Sequence, residues 1–178
     1  MSSTLTWGPL AYLSPKAIAE SDRNVIRELW DTLSPLPLGR VAFSKAVGLA
    51  APYTATIGAK VVTLRTGYAE VEMADKPGLR NHLSSVHAVA LVNLAELTGN
   101  VALAYSLPND ARFIVAGLSI EYLKKSRGLI RATSECPVPP SSERAEYVVP
   151  VSMWNREGEE VARAELKSLV GPKRKGAP

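Results

Sequence analysis

The stretch that decides the fold runs from Asn81 to Leu107 and reads NHLSSVHAVALVNLAELTGNVALAYSL. Apart from two histidines, Glu96 is its only ionisable acidic or basic residue. A surface helix carries a charged face, so a run this apolar predicts a helix that is buried on most sides. A lone carboxylate in such a helix is costly unless it is hydrogen-bonded, paired or used for chemistry. Glu96 is therefore the first candidate functional residue.

The rest of the chain predicts helices before this stretch and strands around it. Ser14-Pro15 is a good helix start, and apolar residues at helical spacing continue to about Ser34. A second short helix is expected within 35–52, and Ser84 or Ser85 is expected to cap the central helix. Pro150 predicts an edge strand or a bulge. Apolar and polar residues alternate in six segments, which predict strands at 56–65, 69–73, 113–123, 129–136, 147–154 and 161–170.

This order predicts an α+β fold in which an antiparallel sheet of about six strands packs around one long helix. The 178 residues fit a single domain. We expect an N-terminal helical extension at 1–34, the main domain at 35–170 and a basic, disordered tail at 171–178.

Composition limits the classes of function. The net charge is +4, and the tail residues Lys173, Arg174 and Lys175 supply three of these charges, so a nucleic-acid interface is not expected. Cys136 is the only cysteine, which fits a reducing compartment. The chain shows no signal-peptide pattern, and polar residues interrupt its longest apolar run. These features predict a cytoplasmic protein without a membrane span.

The spacing of Asn81, His87 and Glu96 predicts a second copy of the chain. His87 and Glu96 are nine residues apart, and nine steps of about 100° place two helical residues on roughly opposite faces. Two antiparallel copies around a two-fold axis would bring Glu96 of one chain to Asn81 and His87 of the other. Asn93 stands three residues before Glu96 and extends a narrow polar stripe. Taken alone, His87 is more often a helix cap or a packed histidine.

The same residues resemble a known motif. The pattern Asn81-x5-His87-x8-Glu96 is similar to that of hot-dog-fold acyl-CoA thioesterases of the phenylacetate-pathway type. The strings Arg80-Asn81-His82, His87-Ala88 and Leu94-Ala95-Glu96 further resemble a poorly characterised, DUF4442-like branch of that superfamily. The resemblance extends from about Phe43 to Val170. It implies a hot-dog fold, a homodimer or homotetramer, and hydrolysis of an acyl-CoA.

In such an enzyme, Glu96 from the partner subunit would activate a water molecule, and Asn81 and His87 would orient the water or the thioester. The backbone N–H of Ala88 would polarise the thioester carbonyl. The resemblance implies no metal, and coenzyme A enters only as part of the substrate. The remaining predicted substrate contacts are His82 and Asn93, with Lys124, Lys125 and Arg127 for the phosphates of coenzyme A.

One departure from the motif leaves alternatives open. Ala88-Val89 replaces the Gly-Gly that usually follows the histidine, and this narrows the approach of a ligand to the backbone. A non-catalytic protein that binds acyl or coenzyme A esters is therefore the second hypothesis. The third is a 3-hydroxyacyl thioester dehydratase, because His82 and Glu96 have the fourteen-residue spacing of hot-dog dehydratases.

Overall fold

The computed structural model describes residues 21–173. Two helices precede the sheet, one long helix lies in its middle, and the strands follow the predicted order. The helices are α1 (Val25–Leu33), α2 (Gly39–Ala50), the single turn α3 (Pro52–Ala55) and the central helix α4 (Ala88–Ser106), with a 3₁₀ turn at Pro77–Leu79. The strands are β1 (Lys60–Arg65), β2 (Tyr68–Met73), β3 (Ala111–Tyr122), β4 (Ile130–Glu135), β5 (Ala145–Trp154) and β6 (Glu160–Pro172).

The six strands form one antiparallel sheet in the order β1-β2-β4-β5-β6-β3. The central helix α4 contacts every strand of this sheet. The predicted hot-dog architecture, with extra helices before the domain, is thereby confirmed. Within the described residues, β1 and β3 are the edge strands, and β3 leaves twelve residues of backbone unpaired on its outer side.

The core lies between α4 and the concave face of the sheet. Leu94 and Leu103 of the helix and Leu166 of β6 are fully buried there. Gly99 allows the close approach, because a Cβ at this position would lie 3.0 Å from the Leu166 side chain and 3.3 Å from that of Val149. By length and composition α4 could also cross a membrane, but it is mostly buried inside the protein, as a core helix is.

Both helix starts differ from the prediction. The central helix is capped by His87 rather than Ser84 or Ser85. Ser84 sits in a tight loop with φ of 54°, and the Ser85 hydroxyl donates to the carbonyl of Ser126 at 2.9 Å, so neither side chain serves the helix. Residues 21–24 are not helical, and α1 begins at Val25 with Asn24 as its cap. The predicted start at Ser14 lies outside the described residues.

The strand boundaries shift for local reasons. Strand β1 starts at Lys60 because residues 52–57 form the turn α3 and its continuation, and Gly58 with φ of 59° redirects the chain before the strand. Strand β6 continues through Pro172, two residues into the segment predicted as a disordered tail, and residues 174–178 lie outside the described part of the chain.

Pro150 lies on an interior strand, between β4 and β6, so its placement on an edge strand is wrong. The pairing of β4 with β5 nevertheless stops at Ser152. The Pro150 carbonyl points to the β4 side, where it accepts from the Ser134 hydroxyl at 2.7 Å. The N and O atoms of one strand residue face the same side, so the missing N–H of proline breaks no ladder bond.

Helix α1 closes the C-terminal end of the central helix. The Asn24 amide nitrogen donates to the carbonyls of Ala104, Tyr105 and Leu107 at 2.8, 3.3 and 3.0 Å. Arg27 donates from Nε to Tyr105 O at 2.9 Å and from Nη2 to Leu107 O at 2.5 Å. A helix leaves its last carbonyls unsatisfied and carries a partial negative charge there. The amide and the guanidinium supply the missing donors, so α1 and α4 stabilise each other.

Replacing Asn24 with alanine is expected to destabilise the protein by about 2–3 kcal/mol. The loss combines about 1 kcal/mol for the α1 cap, in which Asn24 Oδ1 accepts from Arg27 N–H at 3.0 Å, with the loss of the amide bonds to α4, which leaves the Ala104 carbonyl without a donor among the described residues. Urea unfolding measures the change. Asn24→Ser is the matched control, because serine keeps the cap but not the amide donors; wild-type stability in that variant would show that the carbonyl contacts contribute nothing.

Candidate functional site

A tight loop leads the chain into the central helix. Its ends are joined by a bridge between Arg80 and Val86. The Asn81 side-chain oxygen accepts from the backbone N–H of Leu83 at 2.9 Å and of Ser85 at 3.3 Å. Asn81 therefore shapes this loop, while the neighbouring His82 is exposed at its tip.

His87 ends the loop and caps the central helix. Its Nδ1 accepts from the N–H of Val89 at 3.1 Å, and its own N–H donates to Leu79 O at 2.7 Å. Because Nδ1 is the acceptor, the proton of the neutral ring is on Nε2, which remains available at the exposed edge of the ring. The helix-cap interpretation of His87 is confirmed.

The N–H of Ala88, the first residue of the helix, has no acceptor within residues 21–173. It points outward from the end of a helix of nineteen residues, where the partial positive charge of the helix favours a developing negative charge. The side chain of Val89 is 50% exposed in the same turn. The helix start therefore offers one free donor beside an apolar group.

Glu96 lies farther along the same helix. Eight residues separate it from Ala88, which corresponds to about 12 Å along the helix axis. It belongs to a stripe of partly exposed residues spaced four apart, Ala88, Val92, Glu96, Asn100 and Ala104. Within residues 21–173 its carboxylate makes no hydrogen bond and no ion pair.

The reason why His87 and Glu96 stay apart in one chain differs from the prediction. His87 precedes the helix and has extended backbone angles, so the argument from helical rotation does not apply to it. The two side chains are separated along the axis instead. One chain alone does not place the carboxylate beside the helix start.

Asn93 faces another side of the helix. It is buried, and its amide nitrogen donates to Tyr53 O at 3.2 Å. Asn93 and His87 line a cavity of about 270 Å³ between α3, the 3₁₀ turn and the first turns of α4, and Glu96 is not part of its wall. The structure therefore brings His87 together with Asn93 but not with Glu96.

The basic turn 124–128 packs against the loop before the central helix. The Ser126 carbonyl accepts from Val86 N–H at 2.8 Å, and Arg127 Nη2 donates to Leu83 O at 3.4 Å. Lys124 is held by Glu159 in an ion pair of 2.6 Å. Among the described residues Lys125 and Arg127 form no ion pair, so they are the cations that remain available near the helix start.

A comparison with known proteins now identifies the family. The family model described as Domain of unknown function (DUF4442) matches residues 39–170. The chain belongs to the DUF4442 family. Among curated proteins, none matches this sequence.

Solved structures extend the comparison of the DUF4442 chain. A structural-genomics protein, APC5556, is 33% identical with a TM-score of 0.72, over 83% of this chain and 98% of that one. A thioesterase family protein from Silicibacter pomeroyi is 19% identical with a TM-score of 0.63, over 72% and 95%. The PaaI protein from the phenylacetic acid degradation operon of E. coli is 18% identical with a TM-score of 0.59, over 71% and 88%. At these low identities, the last two share the hot-dog fold.

Asp75 organises the loops of this DUF4442 site, although no sequence pattern singles it out. Its carboxylate accepts from Arg80 Nε at 2.7 Å and Nη2 at 3.3 Å, and from the backbone N–H of Gly128 at 3.0 Å. The hydrogen bonds from Arg80, together with that from Gly128 and the charge of Arg127, lower the pKa of Asp75. Asp75 thus joins the loop before the central helix to the basic turn.

Asp75→Asn is expected to destabilise the DUF4442 domain by about 1 kcal/mol at neutral pH, a value reduced because the exposed guanidinium is screened by water. The folded-state pKa lies below the unfolded value, so the ionised carboxylate stabilises the fold above about pH 4. This contribution is lost as the pH falls through the folded pKa. Urea unfolding at neutral pH and at about pH 3 should show that the difference in the free energy of unfolding between Asp75→Asn and wild type becomes smaller in acid. The exposed-turn variant Glu157→Gln should show no such trend.

Tyr122, at the end of β3, also contacts the helix start. Its hydroxyl donates to Ala88 O at 3.3 Å, and partial burial raises the pKa of this phenol. Tyr122 lies within the strand predicted at 113–123, and no local pattern signals a bond to a residue 34 positions away. In this DUF4442 chain the contact joins the edge strand to the turn that presents the Ala88 N–H.

Proposed function

We propose that the protein hydrolyses acyl-CoA thioesters at two equivalent sites, each shared between two copies of the chain. The backbone N–H of Ala88 from one subunit binds the thioester carbonyl oxygen. Glu96 from the other subunit is the general base that activates water. His87 contributes its exposed Nε2–H to orient the substrate or the water. The free donor at the start of the central helix is the observation that carries the proposal.

The Ala88 N–H and the Glu96 carboxylate match the two needs of thioester hydrolysis. Attack of water on the carbonyl carbon places negative charge on the carbonyl oxygen, and a preorganised backbone donor stabilises that charge. The attacking water must also lose a proton, for which an unpaired carboxylate is suited; the tetrahedral intermediate then breaks its C–S bond, and the departing thiolate of coenzyme A takes this proton from the carboxylic acid. The described chain supplies both groups but about 12 Å apart along the helix axis. The S. pomeroyi relative, a thioesterase family protein of the same fold, supports this reaction class.

A second copy of the chain would bring the Glu96 carboxylate close to the Ala88 N–H. The outer side of β3 is a free edge of twelve residues, and such an edge pairs readily with another strand. Antiparallel pairing of two β3 strands around a two-fold axis would extend the sheet and bring the two central helices alongside each other. The stripe that contains Glu96 then faces the start of the partner's helix. Two such dimers could further assemble as a tetramer.

The basic turn 124–128 binds the phosphates of coenzyme A in this proposal. Lys125 and Arg127 are exposed, and neither is ion-paired in the described structure. The turn packs against the loop that precedes Ala88, so a phosphate held there would leave the pantetheine arm directed toward the helix start. Lys124 is less available because of its ion pair with Glu159.

The alternative is a non-catalytic protein that binds acyl or coenzyme A esters, and Val89 is the observation that favours it. Its half-exposed side chain stands where the related thioesterase motif has glycine. No observation favours the dehydratase chemistry, since His82 is exposed at the loop tip. The localisation in the cytoplasm remains a prediction.

Release of free thiol from a series of acyl-CoA substrates tests the proposal. The purified full chain should hydrolyse at least one of acetyl-, hexanoyl-, dodecanoyl- or phenylacetyl-CoA, with a rate that scales with enzyme concentration. Saturable binding of these esters without any thiol release would support the non-catalytic alternative. Neither binding nor release across the series would contradict both.

A further inference from the structure

A second, larger cavity lies beside helix α2, and Leu97 is the residue of the central helix that lines it. Helix α2, the turn α3 and the start of β1 enclose a volume of about 520 Å³, which is within the range of small-molecule sites. Its wall is mainly aliphatic and includes Val41, Val47, Leu49, Val61 and Leu97. Leu49 is 67% exposed at the rim.

The polar groups of this cavity select the charge of its ligand. Its only charged wall residues are Lys45 and Lys60, and it contains no acidic wall residue among those described. Glu72 is opposite Lys60 in the β-ladder, but neither lysine forms an ion pair in the described structure. A third ammonium, that of Lys76, lies beside Gly58 of the wall, where a Cβ would be 2.5 Å from Nζ.

The wall hydroxyls, those of Ser44 and Thr54, are neutral and leave the positive charge of the lysines uncompensated. Ser44 donates to Arg40 O at 2.7 Å and accepts from Val61 N–H at 2.9 Å, so its hydroxyl is engaged within the protein. The cavity therefore presents an apolar interior and a cationic rim. A ligand that matches both parts has one anionic head and a hydrocarbon tail.

We propose that this cavity is a binding site for a medium- or long-chain fatty acid. The tail lies among Val47, Val61 and Leu97, and the carboxylate is held by Lys45 and Lys60. The site is separate from the proposed catalytic one: Leu97 faces the cavity, whereas the neighbouring Glu96 lies on the partly exposed stripe. Fatty-acid binding does not depend on thioester hydrolysis, so either proposal can fail without the other.

Calorimetric titration of the full-length protein with dodecanoate, below its micelle concentration, tests the site. We expect saturable binding of one molecule per chain. Leu49→Glu should weaken binding by about 10-fold or more, because it places a carboxylate at the rim. Val138→Glu is the matched control: Val138 is 49% exposed on a distant loop, and this variant should bind as wild type does.

Dodecanol, which has the same tail without the charge, separates recognition of the head from that of the tail. In the variant with both Lys45→Ala and Lys60→Ala, affinity for dodecanoate should fall by about 10-fold and affinity for dodecanol should stay within about twofold. Absence of saturable dodecanoate binding would overturn the proposal. So would unchanged binding in Leu49→Glu, or equal effects of the lysine changes on both ligands.

Discussion

Glu96→Gln is expected to lower kcat for acyl-CoA hydrolysis by about 10²–10⁴-fold, because the amide cannot accept the proton of the attacking water. The same change should leave the fold intact. The Glu96 carboxylate makes no hydrogen bond or ion pair within residues 21–173, so the substitution breaks no contact there. Since glutamine has nearly the same shape, KM should change little.

Thiol release measured against substrate concentration gives kcat and KM for this variant. Thermal unfolding of the same preparation shows whether the fold is retained. Glu157→Gln is the matched control, since it makes the same chemical change in an exposed turn. Wild-type kcat in Glu96→Gln would exclude the carboxylate as the base.

Ala88→Pro is expected to lower kcat by about 10²–10³-fold, the range found when a single oxyanion donor is removed. Proline deletes the one backbone N–H that we assign to the carbonyl oxygen. It suits this position structurally, because proline is favoured as the first residue of a helix. His87 already has φ of −64° and ψ of 139°, the extended conformation that a residue before proline adopts. The helix should therefore form normally.

Ala88→Gly is the control for this second change, since glycine keeps the N–H and restores the His-Gly of the related motif. It should retain wild-type activity or exceed it, at a modest cost in stability. Circular dichroism of both variants checks the helix content. Full activity in a folded Ala88→Pro protein would show that another donor binds the oxyanion.

Mixing the two inactive variants tests whether a site is shared. In a mixed dimer, one site combines the intact Ala88 of the Glu96→Gln chain with the intact Glu96 of the Ala88→Pro chain. After random exchange half of the dimers are mixed, and each has one functional site of two, so about a quarter of wild-type activity should return. No recovery, with exchange verified by differently tagged chains, would mean that each site lies within one chain.

The fold was predictable because its signals are local. The near absence of charge between Asn81 and Leu107 marked the buried helix, and alternation marked the strands. The sequence left both the serines and His87 as candidate caps, and it could not exclude Ser85, because the hydroxyl of Ser85 is bound by Ser126, a residue 41 positions later. Likewise, periodicity indicates that a strand contains Pro150. It does not indicate that the pairing of this strand with β4 stops before Pro150.

The candidate site shows the same limit. The sequence indicated Asn81 and His87 as polar groups before an apolar helix, and both stand there. It offered the helix cap for His87, but it did not indicate that the Asn81 side-chain oxygen accepts hydrogen bonds from the backbone of its own loop. Asp75 and Tyr122 act through contacts made by distant segments of the chain. The sequence around a polar residue in a loop or strand does not show which distant segment it will contact. These two contacts are therefore visible only in the folded structure.

The contacts of Asn24 and Arg27 have a consequence for the size of the folding unit. The family model begins at residue 39, after both of these donors. A protein trimmed to that boundary would lack the amide and the guanidinium that bind the last carbonyls of its central helix, and this end of the helix would lose its cover. The segment that the family model describes is therefore shorter than the segment that we expect to unfold as one cooperative body, which begins no later than Asn24.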